Sequence, residues 1–335
     1  MTLNQPGKTA TVFGGTGFLG RYVVQELTRA GYEVRIPTRA ASRANRLRVS
    51  GVVGQVVPIQ ANISDPATVA KLVTGADVVI NLVGILAENG RQKFQAIHAE
   101  LPKRLAEAAA AAGVATMVHV SAIGADKESK AAYARTKALG EAAVLEAFPN
   151  ATILRPSVVF GPEDEFLNRF GEMAMLAPFL PLIGGGVTRF QPVYVGDVAD
   201  AVMAAINQRE ARGQIYELGG PRRYSFKQIL QYINEETGRN RRLINLPFAL
   251  AKFQGAVLER LPGQILTGDQ VELLKTDNVV ADDAKTLGDL GIDGTTLEVI
   301  APTYLYRFRK GGRFATRPDT GPDTGPATAS AENAD

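Results

Sequence analysis

The stretch "VFGGTGFLGR", residues 12–21, puts four glycines into ten positions, between a short apolar run and a segment with the pattern of a helix. The run that leads into it, "TATVF", is β-branched and brief, as a buried strand is. Gly14, Gly17 and Gly20 therefore stand as GxxGxxG between a strand and a helix, the setting in which such spacing says more than a plain turn does. There glycine permits a tight turn, lets the backbone approach a pyrophosphate, and lets the helix press on the strand. The phosphates meet free N–H groups at the positive end of the helix. The stretch reads as a dinucleotide-binding turn on the first strand of an α/β fold.

Outward from that turn, "EVRIP", "QVVPI", "DVVINLV", "ATMVHV" and "ATILRP" alternate with helical patterns. Those patterns start at Phe18, near Arg43 and at Pro66, then fill an Ala-rich stretch up to Ala112 and another from about 131 to 148. Strands alternating with helices predict βαβ units, and hence a Rossmann-type doubly wound parallel sheet covered on both faces. After Pro156 the rhythm loosens into Gly- and Pro-rich loops, a strand at "RFQPVYV", a helix with Asp197 as its N-cap, a strand at "GQIYEL" and a helix opened by Ser225. The expected organisation is a dinucleotide-binding domain over residues 1–160 and a smaller α/β C-terminal lobe over 161–315, with segments interleaved into the sheet. The end, 316–335, repeats "PDTG" and holds no large apolar side chain, so it is expected to be a disordered tail.

Which dinucleotide is a question for the end of the second strand, where an acid would bond the ribose hydroxyls of NAD. "VRIPTRAASRANR" offers none. Thr38 stands in that place, and Arg39, with Arg43 and Arg46 nearby, is able to pair with a 2′-phosphate and stack on adenine. The expected cofactor is NADPH.

Composition excludes several other functions. The 335 residues are 45% hydrophobic, enough for ordinary cores, and 37 basic against 34 acidic residues leave a net charge of +3, with no pull toward nucleic acid. No cysteine means no disulfide, thiolate nucleophile or sulfur metal site, and two histidines are too few for a histidine metal centre. No metal is expected. The richest apolar stretch, "MAMLAPFLPLIGGG", is broken by Pro178 and Pro181 and is too short to cross a bilayer. With the first strand starting by Thr9, no signal or transit segment is expected ahead of the fold.

Tyr133 and Lys137 form YxxxK in "YARTK", and four positions on a helix put both on one face. There the ammonium is expected to lower the phenol toward working pH, which makes a proton donor for hydride transfer. The same lysine is equally able to act as a clamp on a bound cofactor.

"GGTGFLG", the "NLVG" of residues 81–84, "YARTK", "LRPSVVFGP" and "QPVYVGDVADA" together resemble the short-chain dehydrogenase/reductase superfamily in its extended or atypical branch, over roughly residues 8–300. Within it, "HVSAIGAD", "YARTKALGEAAVLEAFPNATILRPSVVFGPEDEFLNRF" and "LTGDQVELLKTDNVV" resemble the nucleotide-binding accessory subunits of respiratory complex I. That resemblance implies NADPH kept as a structural ligand, partners among the peripheral-arm subunits, and peripheral contact with the membrane. It places the chain on the cytoplasmic side of a bacterial inner membrane, or on the matrix side in a eukaryote.

The resemblance also extends the nucleotide contacts to Thr16, Phe18, Leu19, Asn62, Ile63, Leu82, Val83, Gly84 and Pro156. It assigns Tyr133, Lys137 and Ser121 as a catalytic set that is vestigial here. Where catalytic relatives carry a second hydroxyl after the first serine, this chain reads Ser121-Ala122, and His98 stands where the proton relay usually has Asn. An NADP-dependent reductase or epimerase of a small carbonyl or nucleotide-sugar, and a soluble redox sensor, are the alternative functions. His119 is read as a packed strand residue. Phe248, Leu250, Phe253, Val257 and Leu261 recur at near-helical spacing and fit either a core-facing helix or a docking face.

Overall fold

The computed structural model of this chain describes residues 7–90, 92–252 and 267–312. In chain order, the fully buried strand β1 (Thr9–Phe13) runs into the glycine turn and α1 (Phe18–Arg29). There follow β2 (Glu33–Thr38), the short α2 (Ala41–Ala44), β3 (Val56–Gln60), α3 (Pro66–Val73) and β4 (Val78–Asn81). A π-helical turn (Gln95–Glu100) then leads into α4 (Leu101–Ala111), β5 (Thr116–Val120), α5 (Ala132–Ala147) and β6 (Thr152–Pro156). These are the predicted elements, except that the Ala-rich helix opens with one wide turn, against which α5 packs closely at Gly140.

The seven-stranded sheet has the order β3-β2-β1-β4-β5-β6-β11, where β11 is Ile215–Leu218, and every pairing in it is parallel. Strands leave β1 in both directions, so the carboxyl ends of β1 and β4 flank the crevice where open α/β sheets bind ligands. Burial alternates accordingly. Val12, Val118 and Val120 face a core shared with α1 and with α7 (Val195–Asn207), while Phe13, Val79 and Met117 face one shared with α3, α4 and α5.

Between β6 and the end of the described chain lie β7 (Val159–Phe160), α6 (Leu167–Leu176), β8 (Phe179–Ile183), β9 (Arg189–Phe190) and β10 (Val193–Tyr194). After β11 come β12 (Tyr224–Ser225), α8 (Phe226–Thr237), β13 (Arg242–Leu246) and α9 (Gly268–Leu273). A separate core gathers Phe160, Leu167, Phe190, Phe226 and Ile229 with Tyr304 and Leu305 from the C-terminal region. Ser225 opens α8 through a capping box with Gln228, as expected.

Two local expectations are corrected. "RFQPVYV" is two short strands in different sheets, β9 with β12 and β10 with β7; Pro192 has no N–H to give, and Gln191 turns its amide to Asn278 instead. Asp197 does not cap its helix, which starts two residues earlier. Its carboxylate accepts from Thr295 N at 2.6 Å and Thr295 Oγ1 at 2.9 Å, tying α7 to the C-terminal segment. Of the near-helical apolar series, Phe248 packs on the second core and Leu250 is exposed, whereas Phe253, Val257, Leu261 and the 316–335 tail lie outside the described residues.

Candidate functional site

The glycine turn is built for close approach. Gly14 has φ +84°, and a Cβ there would lie 2.9 Å from the Leu82 carbonyl carbon and 3.1 Å from Val83 N, so the turn presses on the backbone that leaves β4. A Cβ on Gly20 would fall onto the backbone of Gly14 and Gly15, because α1 starts directly against the turn. Gly17 is different. It is exposed, its φ is −76°, and it stands at the N-cap of α1 without a capping side chain. The amides that open α1 therefore point out of an uncovered helix end, flanked by the half-buried Thr16, Phe18 and Leu19.

Across the crevice, Asn81 closes β4 fully buried. Its Oδ1 accepts from Val83 N at 3.1 Å, which turns its Nδ2 toward His119 Nδ1 at 3.0 Å. His119 Nδ1 must then accept, leaving the proton on Nε2, and that N–H is buried without a partner among the described residues. Ser121 Oγ, two residues on, is buried and equally unpartnered. Burial, then the Lys137 charge, pushes His119 down to about 3, so the ring is neutral.

Tyr133 and Lys137 come together on α5 as the spacing predicts. Lys137 Nζ sits 5.9 Å from the Tyr133 ring centroid, 3.3 Å from the Val120 carbonyl oxygen, and 3.5 Å from where a Gly84 Cβ would be. The expected activation of the phenol is overturned. Burial pushes Tyr133 up to about 12, because desolvation penalises the phenolate. Burial likewise lowers Lys137 to about 8, although Glu141 one turn on pulls it back up.

His98 occupies the π-helical turn between these groups. Its ring stacks on Phe94 at 5.3 Å and meets Tyr133 edge-on at 5.1 Å. Its Nε2 accepts from Ile85 N at 3.1 Å and its Nδ1 lies 3.4 Å from Thr136 Oγ1. Burial and Lys137 hold it near 3. A neutral ring fixed at both nitrogens orients the loop after β4 and shuttles no proton in this arrangement.

At the other end of the crevice, Thr38 closes β2 with Arg39 exposed behind it, and Arg43 lies on α2, its side chain outside the described set. Asn62 caps the turn after β3 by accepting from Ser64 N at 3.1 Å, and the adjacent Ile63 packs on the α3–α5 core. Pro156 ends β6 buried, with its carbonyl taking Ile123 N at 3.1 Å. The predicted residues thus line the carboxyl ends of β1 to β6, from the arginine end to the tyrosine end.

Sequence reasoning missed the charges beneath the site. Glu141 grips Arg155 through two bonds, at 3.0 and 2.6 Å, and Arg155 reaches Glu217 on β11 at 3.5 Å. The Lys137–Glu141 spacing of four was visible, but Arg155 and Glu217 join only through strand pairing. The glycine cradle, the open amides of α1 and the unpartnered Ser121 Oγ and His119 Nε2 fit a nicotinamide dinucleotide. Bound there, such a group would supply hydride-transfer chemistry. Among the described residues no cluster of acids and histidines fits a metal ion.

This fold and site define a dinucleotide-binding protein of the epimerase type: the chain belongs to the NAD dependent epimerase/dehydratase family, whose model matches residues 10–219. The UDP-glucose 4-epimerase of Thermotoga maritima shares the fold at 18% identity, with a TM-score of 0.67 over 90% of this chain and 98% of that one. Within the family, the chain is 38% identical to an Arabidopsis thaliana protein named NADH dehydrogenase (ubiquinone) 1 alpha subcomplex subunit 9, mitochondrial, over 91% of this chain and 79% of that protein. It is 34% identical to the Neurospora crassa NADH-ubiquinone oxidoreductase 40 kDa subunit, over 94% and 83%. Among the described residues, no helix is long and apolar enough to cross a membrane.

Proposed function

We propose that this chain is an accessory subunit of respiratory complex I that holds NADPH as a structural cofactor and braces the peripheral arm beside the membrane. The observation that carries the reading is its 38% identity with a subunit 9 protein across nearly its whole length. One feature of the site supports the structural role: Ala122 brings no second hydroxyl after Ser121. Arg39, where an acid would select NAD, supports NADPH. With no long apolar helix described, the membrane contact in this reading is peripheral, on the cytoplasmic face in a bacterium or the matrix face in a mitochondrion.

Mild solubilisation of membranes followed by native electrophoresis tests it. The chain should migrate with the large NADH-oxidising complex, and nucleotide released from the isolated chain by acid should be NADP(H). Gly17→Asp places a carboxylate in the phosphate turn and should deplete the assembled complex, whereas Tyr133→Phe should leave assembly and NADH-to-quinone electron transfer near wild type. Migration only as a free protein, or loss of an NADPH-dependent reduction by the purified chain on Tyr133→Phe, would sink the proposal.

A further inference from the structure

Helix α5 lacks a cap of its own. Its N-cap position is Ala131, which has no side chain to offer the first-turn amides. Asp269, far along the chain on α9, supplies the cap: its carboxylate accepts from Ala132 N at 2.6 Å and from Tyr133 N at 3.0 Å. The next residue, Gln270, donates from Nε2 to the Leu86 carbonyl at 3.3 Å, on the loop that leaves β4. These contacts tie the start of α5, at Tyr133, to the loop that leaves β4.

The segment that follows continues across the same end of the sheet. Asn278 accepts from Ser157 Oγ at 2.6 Å and from Val158 N at 3.2 Å, just past β6, and donates to the Ile123 carbonyl just past β5. Farther on, Ala281 N donates to Glu217 Oε2 at 3.0 Å, and Glu217 N donates to the Lys285 carbonyl at 2.8 Å, both on β11. Residues 267–280 thus run over the carboxyl ends of β4, β5 and β6, and the chain then passes along the edge of β11, where Lys285 pairs with Tyr216, leaving the glycine turn and the arginine end to the nucleotide. The covered half is the one a second ligand would need in order to meet the nucleotide.

We propose that residues 267–280 form a built-in strap that closes the substrate half of the crevice, with Asp269 as its latch on α5, so that the nucleotide is held and a second ligand is shut out. The proposal rests on the reading that this crevice holds a nicotinamide dinucleotide.

The test uses the full-length chain, saturated with NADPH, with Asp269→Ala and the milder Asp269→Asn beside wild type. Amide hydrogen exchange in peptides spanning 130–136 and 267–273 reads the latch, and iodide quenching of bound NADPH fluorescence reads access. Losing a carboxylate that serves two amides should speed exchange roughly ten- to a hundredfold in Asp269→Ala and less in Asp269→Asn, which keeps one acceptor oxygen. Quenching and the NADPH dissociation rate should rise in the same order. Unchanged exchange overturns the latch; faster exchange with quenching and dissociation as in wild type overturns the closure. Absence of bound-NADPH fluorescence from wild type overturns the nucleotide reading and the closure with it, and is told apart because exchange still reads the Asp269 contact.

Discussion

Replacing Lys137 by Met should stabilise the nucleotide-free protein at neutral pH. The residue is only 5% exposed, among the described residues its ammonium has a single hydrogen bond, to the Val120 carbonyl, and Glu141, one turn on, is already bound to Arg155. Burial therefore brings Lys137 down to about 8, from about 10.4 in an unfolded chain. Below pH 8 both states carry the proton and the full cost of burying the charge is present, about 3 kcal/mol at roughly 1.4 kcal/mol per unit. Between pH 8 and about 10 the unfolded chain binds a proton that the folded chain does not, so wild-type stability should rise with pH across that window.

Methionine fills nearly the same volume without the charge, and the lost hydrogen bond offsets about 1 kcal/mol, leaving roughly 2 kcal/mol of net gain at pH 7. The assay is urea unfolding of nucleotide-free wild type and Lys137→Met from pH 7 to 9.5, below the range where the tyrosines raised by burial begin to matter. The variant should lead at pH 7, and its lead should shrink as pH rises. A variant less stable than wild type at pH 7, or a lead that is constant across the range, would refute the reasoning.

Gly20→Ala should cost about 2–3 kcal/mol in thermal or urea unfolding, since its Cβ falls onto the Gly14–Gly15 backbone. Gly17→Ala, whose Cβ stands 3.2 Å from Gly14 O at an ordinary φ, should cost well under about 1 kcal/mol yet weaken nucleotide binding, read by calorimetric titration. Arg39→Asp should reverse a preference for NADPH over NADH in the same titration; an unchanged ratio would remove Arg39 from the site. Glu141→Gln should destabilise by about 2–3 kcal/mol, below the figure for a fully buried pair because the Arg155 side chain is 23% exposed, and Arg155→Met in the same background should recover part of it.

The parts of the site that were legible in the sequence are those whose geometry is local. The glycine spacing, the strand–helix alternation and YxxxK each work within a few residues, and the chain cannot fold them otherwise than as periods of 2 and 3.6 dictate. The acid-free end of β2 was readable for the same reason. What escaped depends on distant pairings. Asp269 caps α5 from 137 residues away, and in sequence it looks only like part of the Thr267–Gln270 capping box that opens its own short helix. Asp197 shows the converse error, a good capping residue near a helix start that tertiary structure had already committed to Thr295. The phenol misled for a third reason: spacing says that Lys137 lies beside Tyr133, but burial sets the sign of the shift.

The site also stores polar burial that the protein alone does not satisfy. Lys137 carries a charge in the interior, while the His119 Nε2–H and Ser121 Oγ are buried without partners among the described residues, each orphan costing about 1–3 kcal/mol. All three cluster at the end of β5 and the first turns of α5, around the place the proposed nucleotide would take. A bound dinucleotide offering ribose and amide groups there would relieve these costs, and by linkage would stabilise the fold by about 4 kcal/mol at a thousandfold excess over its Kd. On the proposed reading, the ligand completes a deficient interior whether or not it takes part in chemistry. The corollary is asymmetric. Mutations that fill or neutralise the interior, Lys137→Met among them, should make the free chain sturdier and also less dependent on the nucleotide, so that added NADPH raises its unfolding midpoint by less than it raises that of wild type.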